Sequence, residues 1–190
     1  MVKKLIKNST LRIVMALAVV GVLSGALLVV VYDYSIPKIR VNVENETERA
    51  IKNIFPACTK IKKTKDDFFK VTGAENKIAG YAFIAEGNGY QGIIKLIIGV
   101  DPKLTKMMGL EVLESQETPG LGAEIAGEKF RGQFKNLPIT QEIEYVKNQK
   151  PDKPNQIEAI TGATISSRAV VNIINSGIME VRKNVKTGGV

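Results

Sequence analysis

Two short segments of the chain combine glycine with hydroxyl or carboxylate side chains, and these are the side chains that could take part in chemistry. The first, residues 117–122, reads ETPGLG, and the second, residues 161–167, reads TGATISS. Each has a simple structural explanation, because Pro-Gly is a common turn pair and hydroxyl residues often cap the start of a helix. Taken singly, neither segment establishes a site.

The second segment also suits a phosphate group. A helix start presents unpaired N–H groups and a partial positive charge, which together favour a bound phosphate. Gly162 and Ala163 are small enough to let a phosphate approach the backbone closely. Thr161, Ser166 and Ser167 are then available to bond the phosphate, to cap the helix, or to do both.

The composition excludes several kinds of site. The chain has no histidine, so a Ser-His-Asp triad, a histidine-ligated metal or haem and a histidine-linked flavin are ruled out. Its one cysteine, Cys58, forms neither an internal disulfide nor, by itself, an iron–sulfur site, and we expect it to pack as an ordinary thiol. We therefore predict no metal site, and only hydroxyl, carboxylate, amine and thiol chemistry is left. No substrate pocket motif is visible, so no residue is assigned a catalytic role.

The positive charge is concentrated at the N-terminus. The formal net charge is +8, and four of these charges come before residue 13 with no acid among them, from Lys3, Lys4, Lys7 and Arg12. The remaining excess is too small and too dispersed for a nucleic-acid surface, so we expect no nucleic-acid partner. A basic N-terminus is typical of a chain that enters a membrane next.

Residues 13–32 form an uncharged apolar run of 20 residues. At about 1.5 Å per residue, a helix of this length spans the roughly 30 Å hydrocarbon core of a bilayer, so we predict a transmembrane helix. The alternative is a cleaved signal peptide that ends at Ala26. It is disfavoured because signal peptides have a shorter apolar region, and cleavage there would leave the apolar residues 27–31 exposed.

The charges around this helix predict its orientation. The basic residues precede it, whereas Asp33 follows it and the next cation is Lys38. Because cytoplasmic flanks carry the excess of Lys and Arg, the N-terminus should be cytoplasmic and the C-terminal domain extracytoplasmic. We thus expect a single-pass protein of the cytoplasmic membrane, in contact with lipid, with Tyr32 and Tyr34 at the outer headgroup region.

The rest of the chain has the pattern of an α+β domain, an antiparallel sheet covered by helices. Pro37 is expected to open a helix that runs to about Ile54 and is stopped by Pro56. Strand patterns, a short helix and a long amphipathic helix follow. The expected ranges are 67–71, 80–85, 92–100, 107–113 and 143–146 for strands, and 124–134 and 166–185 for helices.

These expectations divide the chain into four parts. Residues 1–12 form a basic cytoplasmic N-terminus, residues 13–32 the transmembrane helix, residues 33–60 a linker helix and residues 61–190 the extracytoplasmic domain. A domain of that size is large enough to have its own hydrophobic core. We therefore expect one soluble domain on a membrane anchor.

The two glycine segments carry a family resemblance. ETPGLG and TGATISS, in this order behind one N-terminal membrane helix, resemble the FMN-binding domain family shared by the G subunit of the Rnf complex and the C subunit of the sodium-pumping NADH:quinone reductase. GYQGIIKLIIGVD, residues 89–101, resembles the paired strands that precede the ETPGLG loop in that family. The resemblance covers about residues 75–185.

The resemblance implies a role for each segment. In the family, the last threonine of Ser/Thr-Gly-Ala-Thr forms a phosphoester with FMN that a flavin transferase delivers from FAD, and by position this is Thr164. Thr164 is then a tether for the cofactor. Glu117 and Thr118 are expected to make polar contacts to the flavin or its ribityl chain, although Glu117 has the alternative of a solvated or structural carboxylate. The wall that allows close approach would come from Gly120, Leu121 and Gly122.

Two positions depart from the family pattern. An aspartate usually lies six residues before the modified threonine, where this chain has Glu158, whose side chain is one methylene longer. A histidine often lies two residues before the glutamate of the loop, where this chain has Ser115. The first departure bears on recognition by the transferase, and the second removes any role for an imidazole.

The implied function is that of an electron-transfer subunit with covalent FMN in an Rnf-type membrane complex, which couples ferredoxin:NAD⁺ oxidoreduction to Na⁺ or H⁺ translocation. Its partners would be the other integral and peripheral subunits, with the flavin transferase acting during maturation. The domain has one carrier site and is not expected to be an enzyme in isolation. Two alternatives stay open: a component like the C subunit of the quinone reductase, which is generally longer, and a membrane-anchored binding or assembly module without a cofactor.

Overall fold

The protein is described by a computed structural model that covers residues 2–65 and 67–186. Met1 and residues 187–190, which belong to the predicted N-terminal part and to the predicted domain, lie outside the described residues. The chain divides into two compact units, with the boundary between Asn45 and Glu46. The four-part division of the chain stays a prediction.

The N-terminal unit is the first part of helix α1, which spans Val2–Ile54. Its apolar side chains from Leu11 to Val31 are exposed. By length and composition, α1 is able to cross a membrane.

The prediction that a new helix opens at Pro37 is wrong, because α1 runs through this residue without a break. A proline inside a helix removes one backbone hydrogen bond, which is a local cost in a helix of 53 residues. A contact across the same turn helps to hold it: Lys38 Nζ donates to Tyr34 Oη at 2.6 Å and lies 3.9 Å from the centre of that ring. The predicted end of the helix is confirmed, since α1 stops at Ile54, before Pro56.

Five strands form one antiparallel meander, and this confirms the predicted sheet. Each strand pairs with the next one in chain order. The strands are β1 Lys60–Lys65, β2 Phe68–Thr72, β3 Ile78–Asn88, β4 Ile93–Val100 and β5 Met107–Ser115. β1 is absent from the predicted strands, because its sequence KIKKTK lacks an apolar alternation. As an edge strand it is protected by these lysines from pairing with other chains.

The single helix predicted over 124–134 is wrong. The chain forms a 3₁₀ turn over Gly122–Ala126, a short helix α2 over Glu128–Arg131 and a second 3₁₀ turn over Gly132–Phe134. Gly127 interrupts them, because its backbone is extended, with φ of −71° and ψ of 144°. After these turns come two strands that pair in parallel, β6 Glu144–Val146 and β7 Gln156–Glu158, of which only β6 is predicted.

Helices cover both faces of the five-stranded sheet, so the α+β class is confirmed. Helix α3, Thr164–Lys186, packs its apolar stripe on one face, where Val170 and Ile174 are fully buried. On the other face, Ile51 in the last turns of α1 and Phe55, the residue after the helix, belong to a second apolar cluster. Cys58 packs against this second cluster and is half-buried.

Candidate functional site

Segment 117–122 contains a tight turn. The carbonyl oxygen of Thr118 accepts a hydrogen bond from the N–H of Leu121 at 3.2 Å. Gly120 has φ of +74° at the third position of this turn, directly after Pro119, which is the pattern of a type II turn. The Thr118 hydroxyl donates to Gln91 Oε1 at 2.8 Å. The hydroxyl of this segment is thus already used within the protein.

The second segment contains the same kind of turn, immediately before α3. The N–H of Ala163 donates to the carbonyl oxygen of Ile160 at 3.0 Å, and Gly162 has φ of +84°. Helix α3 then begins at Thr164, two residues earlier than predicted. The Thr164 side chain is half-buried, and its hydroxyl has no hydrogen-bond partner within residues 2–65 and 67–186.

The start of α3 offers free backbone donors. Among the described residues, the N–H groups of Thr164, Ile165 and Ser166 have no acceptor, as is usual for the first turn of a helix. The first backbone bond of the helix runs from the N–H of Ser167 to the carbonyl oxygen of Ala163 at 3.0 Å. Three unpaired donors and the positive end of the helix dipole make this turn a place where an anion binds favourably.

Both segments line one cavity of about 490 Å³. This volume lies in the range of about 300–1,000 Å³ that is usual for small-molecule and cofactor sites. Nine of the eleven predicted cofactor-binding residues line the cavity: Glu117, Thr118, Leu121, Gly122, Thr161, Gly162, Ala163, Thr164 and Ser166. The fold therefore brings together two segments that are about 40 residues apart in the sequence.

The other two predicted residues lie outside the cavity lining. Gly120 is exposed at the tip of its turn. Ser167 is fully buried, where its hydroxyl accepts from the N–H of Ile160 at 3.0 Å and donates to the carbonyl oxygen of Ala163 at 3.0 Å. Ser167 therefore closes the turn that precedes α3, and its hydroxyl proton is not available to a phosphate.

Two cavity residues that the sequence does not indicate, Lys147 and Asn148, directly follow β6. Parallel pairing of β6 with β7 brings the end of β6 beside the chain that leads into the second segment. Lys147 is the one cation among the described residues that line the cavity. No pattern in the sequence marks it, because its position depends on a pairing between two three-residue strands.

Two further cavity residues, Tyr90 and Ile165, lie inside segments that carry the family resemblance. Tyr90 is in the turn after β3, which the N–H of Gly89 closes by donating to the carbonyl oxygen of Gly92 at 2.7 Å. β3 extends to Asn88, three residues beyond the predicted strand end at 85, so this turn is short. Tyr90 and Ile165 are 66% and 46% exposed, so they form an apolar rim at the mouth of the cavity.

Glu117 connects the walls of the cavity. It is 6% exposed, and its Oε1 accepts from the N–H groups of Tyr90 at 2.6 Å and Gln91 at 3.1 Å. Its Oε2 accepts from the Ser166 hydroxyl at 2.5 Å. Burial acts to raise the pKa of Glu117, but the hydrogen bonds from Ser166 and from the turn after β3 outweigh it, so the pKa lies below its ordinary value. The carboxylate is therefore ionised at neutral pH.

The two residues that depart from the family pattern, Glu158 and Ser115, both make hydrogen bonds within the domain. The backbone of Glu158 pairs with the Gln133 side chain, through bonds of 2.7 Å and 3.1 Å, and Glu158 lines a separate cavity of about 310 Å³. Thr161 lines both cavities. Ser115 Oγ accepts from the N–H of Glu117 at 3.3 Å, so it helps to hold the backbone at the start of the first segment.

Comparison with known proteins gives a family match, relatives and a solved structure. The FMN-binding domain family matches residues 89–179, which contain both segments. The G subunit of the proton-translocating ferredoxin:NAD(+) oxidoreductase complex of Clostridium ljungdahlii is 33% identical over 186 residues, with 96% of each chain covered. The G subunit of the ion-translocating oxidoreductase complex of Methanosarcina acetivorans is 29% identical over 178 residues, which is 88% of this chain and 92% of the relative.

A solved structure has the same fold. Shewanella oneidensis NqrC matches with a TM-score of 0.54 and 21% identity, over 64% of this chain and 65% of NqrC. The chain thus spans slightly less than two thirds of that protein, and at this identity the likeness shows the fold alone. Together the matches confirm the resemblance inferred from the ETPGLG and TGATISS segments.

Proposed function

The chain belongs to the family of G subunits of ion-translocating oxidoreductase complexes, and from this premise we propose that it carries FMN on Thr164 and transfers electrons within such a complex. The complex would couple ferredoxin:NAD⁺ oxidoreduction to the translocation of Na⁺ or H⁺. The observation that supports this most directly is the unbonded Thr164 hydroxyl at the start of α3, in a cavity that both segments line.

The residues present fit FMN. The three free N–H groups at the start of α3 suit its phosphate, and Gly162 keeps the backbone accessible there. Lys147 adds a positive charge to the cavity. Tyr90 and Ile165 provide apolar surface at the cavity mouth for a planar ring. When bound, FMN supplies reversible electron transfer through its isoalloxazine ring.

Thr164 would be the attachment point during maturation. A flavin transferase would join Thr164 Oγ to the phosphorus of the FMN moiety of FAD, breaking the pyrophosphate P–O bond. The hydroxyl proton is lost and AMP leaves, so the step needs no oxidant or reductant. A phosphoester leaves the isoalloxazine ring unchanged, so tuning of its potential falls to the residues around the cavity. Thr164 itself holds the cofactor and takes no part in turnover.

The placement in the membrane is also part of the proposal. Residues 13–32 of α1 would cross the cytoplasmic membrane with the basic N-terminus inside, and the FMN-binding domain would lie outside, in contact with lipid and the other subunits. The match to a G subunit extends over nearly the whole length of that protein, whereas the likeness to NqrC, the C subunit of the quinone reductase, extends to the fold alone. This difference favours the G subunit's complex over the quinone reductase. A module without a cofactor would leave unexplained why both family segments line one cavity.

A gel experiment tests the attachment. The chain is co-expressed with a flavin transferase, and the denatured protein band is examined for flavin fluorescence. Wild type should fluoresce, and Thr164→Val should not. Thr64→Val is the matched control, because it removes an exposed threonine hydroxyl on β1, outside the cavity lining, and should keep the fluorescence. A dark wild-type band, or fluorescence that survives Thr164→Val, would overturn covalent attachment at this residue.

The orientation has its own test. In a Cys58→Ser background, Ser35→Cys places a thiol just after the predicted membrane segment. A membrane-impermeant maleimide should label it from outside intact cells. Labelling only after the cytoplasmic side has been opened would reverse the proposed topology.

A further inference from the structure

A buried carboxylate–hydroxyl pair joins the two segments of the candidate site. Glu117 and Ser166 are 6% and 2% exposed, and Ser166 Oγ donates to Glu117 Oε2 at 2.5 Å. The other carboxylate oxygen is held by the N–H groups of Tyr90 and Gln91. One side chain therefore ties together the turn after β3, segment 117–122 and the first turn of α3.

We propose that Glu117 is a positioning residue, which sets the place of Thr164 by holding Ser166. Ser166 is two residues beyond Thr164 in the first turn of α3. A fixed Ser166 side chain therefore fixes how this turn is rotated about the helix axis and where it lies along that axis. The Thr164 side chain has no hydrogen bond among the described residues and depends on its helix for its position. The inference rests on the proposed function, in which Thr164 is the attachment point.

The surroundings of the carboxylate are built to hold it. A Cβ atom at Gly89 would overlap Glu117 Oε1, and one at Gly122 would overlap Glu117 Oε2. Two glycines on different segments thus leave the space that this side chain fills. Because three donors occupy its two oxygens, the carboxylate has little acceptor capacity left for a ligand.

The direction of the Glu117–Ser166 bond has a consequence for phosphate binding. An ionised carboxylate only accepts, so Ser166 must donate its single hydroxyl proton to Glu117. That proton is then unavailable to a phosphate, and Ser167 has already given its own to Ala163. Phosphate contacts at the start of α3 would come instead from the backbone N–H groups. The two serines of the TGATISS segment therefore act on the position of the helix.

The test measures covalent flavin incorporation in the full chain, with flavin transferase and FAD, as in-gel fluorescence against time. Ser166→Ala should slow incorporation about fivefold or more, because a small displacement of a reacting atom has a large effect on rate. The fluorescence anisotropy of the attached flavin should also fall, since its helix turn is less firmly held. Ser176→Ala is the matched control, because Ser176 is exposed on the same helix, and it should behave as wild type.

A second variant separates positioning from simple folding. Glu117→Gln keeps the shape, and its amide can accept from Tyr90 and donate to Ser166, so the rate should fall only about twofold. The double variant Glu117→Gln, Ser166→Ala should be no slower than Ser166→Ala alone, because the same bond is already absent. Wild-type rate and anisotropy in Ser166→Ala, or independent multiplication of the two effects, would overturn the proposal.

Failure of the proposed function would look different. If wild type itself takes up no flavin, attachment at Thr164 is refuted, and the Glu117–Ser166 pair is then tested in the flavin-free protein. Urea unfolding of the wild type, both single variants and the double variant gives their coupling. Coupled effects support the positioning contact, and strictly additive effects overturn it.

Discussion

Segments 117–122 and 161–167 adopt the same turn but use their hydroxyl groups differently. In each, a carbonyl oxygen accepts from the N–H three residues later, and a glycine takes the left-handed position, at Gly120 and Gly162. The Thr118 hydroxyl donates to the Gln91 side chain, whereas the Thr164 hydroxyl has no partner among the described residues. The difference arises because α3 follows the second turn directly. The same type of turn thus forms a wall of the cavity in one place and, in the proposed function, presents an attachment point in the other.

The largest expected effect distinguishes the two turn glycines. Gly162→Ala should lower the free energy of unfolding by about 2 kcal/mol, because alanine is strained at positive φ and its Cβ would press on Leu121 Cδ2, 3.3 Å away. Gly120→Ala has the same backbone strain in open space and should lose about 1 kcal/mol. Urea unfolding measures both. Only Gly162→Ala should also slow flavin incorporation, and equal effects on incorporation would remove the distinction between the turns.

An intermediate effect concerns the carboxylate that links the two segments. Because the pKa of Glu117 is lower in the folded state than in the unfolded chain, its stabilising effect is complete above the unfolded pKa of about 4.3 and is lost as the pH falls through the folded pKa. Glu117→Gln should therefore be less stable than wild type by about 1 kcal/mol at pH 7. This difference should shrink at pH 3.

The same pH series needs a reference, because Asp101 also titrates in acid. Its burial acts to raise its pKa, but hydrogen bonds from Lys106 and Thr105 outweigh this and lower it. Asp101 is present in both proteins, so the difference between wild type and Glu117→Gln isolates Glu117. A difference that stays constant between pH 7 and pH 3 would contradict the assigned direction of the Glu117 pKa.

The smallest expected effect tests the cation of the cavity. Lys147→Ala should slow flavin incorporation about twofold to fivefold, because an exposed charge near the phosphate position is largely screened. Lys150→Ala, an exposed lysine outside the cavity lining, is the matched control and should have no effect. The effect of Lys147→Ala should diminish at high salt. A rate insensitive to both the substitution and salt would exclude Lys147 from the phosphate site.

The parts of the fold that sequence patterns predicted are those governed by local chemistry. β4 and β5 have long apolar runs between strong turn residues, and their observed bounds lie close to the predicted ones. Helix α3 has a clear apolar stripe. By contrast, β1 and β7 lack any local pattern, and the helix predicted over 124–134 is interrupted because Gly127 is extended. Such elements are stabilised by neighbours that are distant in the chain.

The sequence by itself determined the apolar segment that is able to cross a membrane, the α+β class and the two segments of the candidate site, because length, apolar period and short motifs are local properties. Tertiary structure alone decided which side chains meet. It placed Lys147 in the cavity through the pairing of β6 with β7, and it joined Glu117 to Ser166 across 49 residues. Contacts of this kind depend on how separate elements pack, and no residue pattern within either segment specifies them.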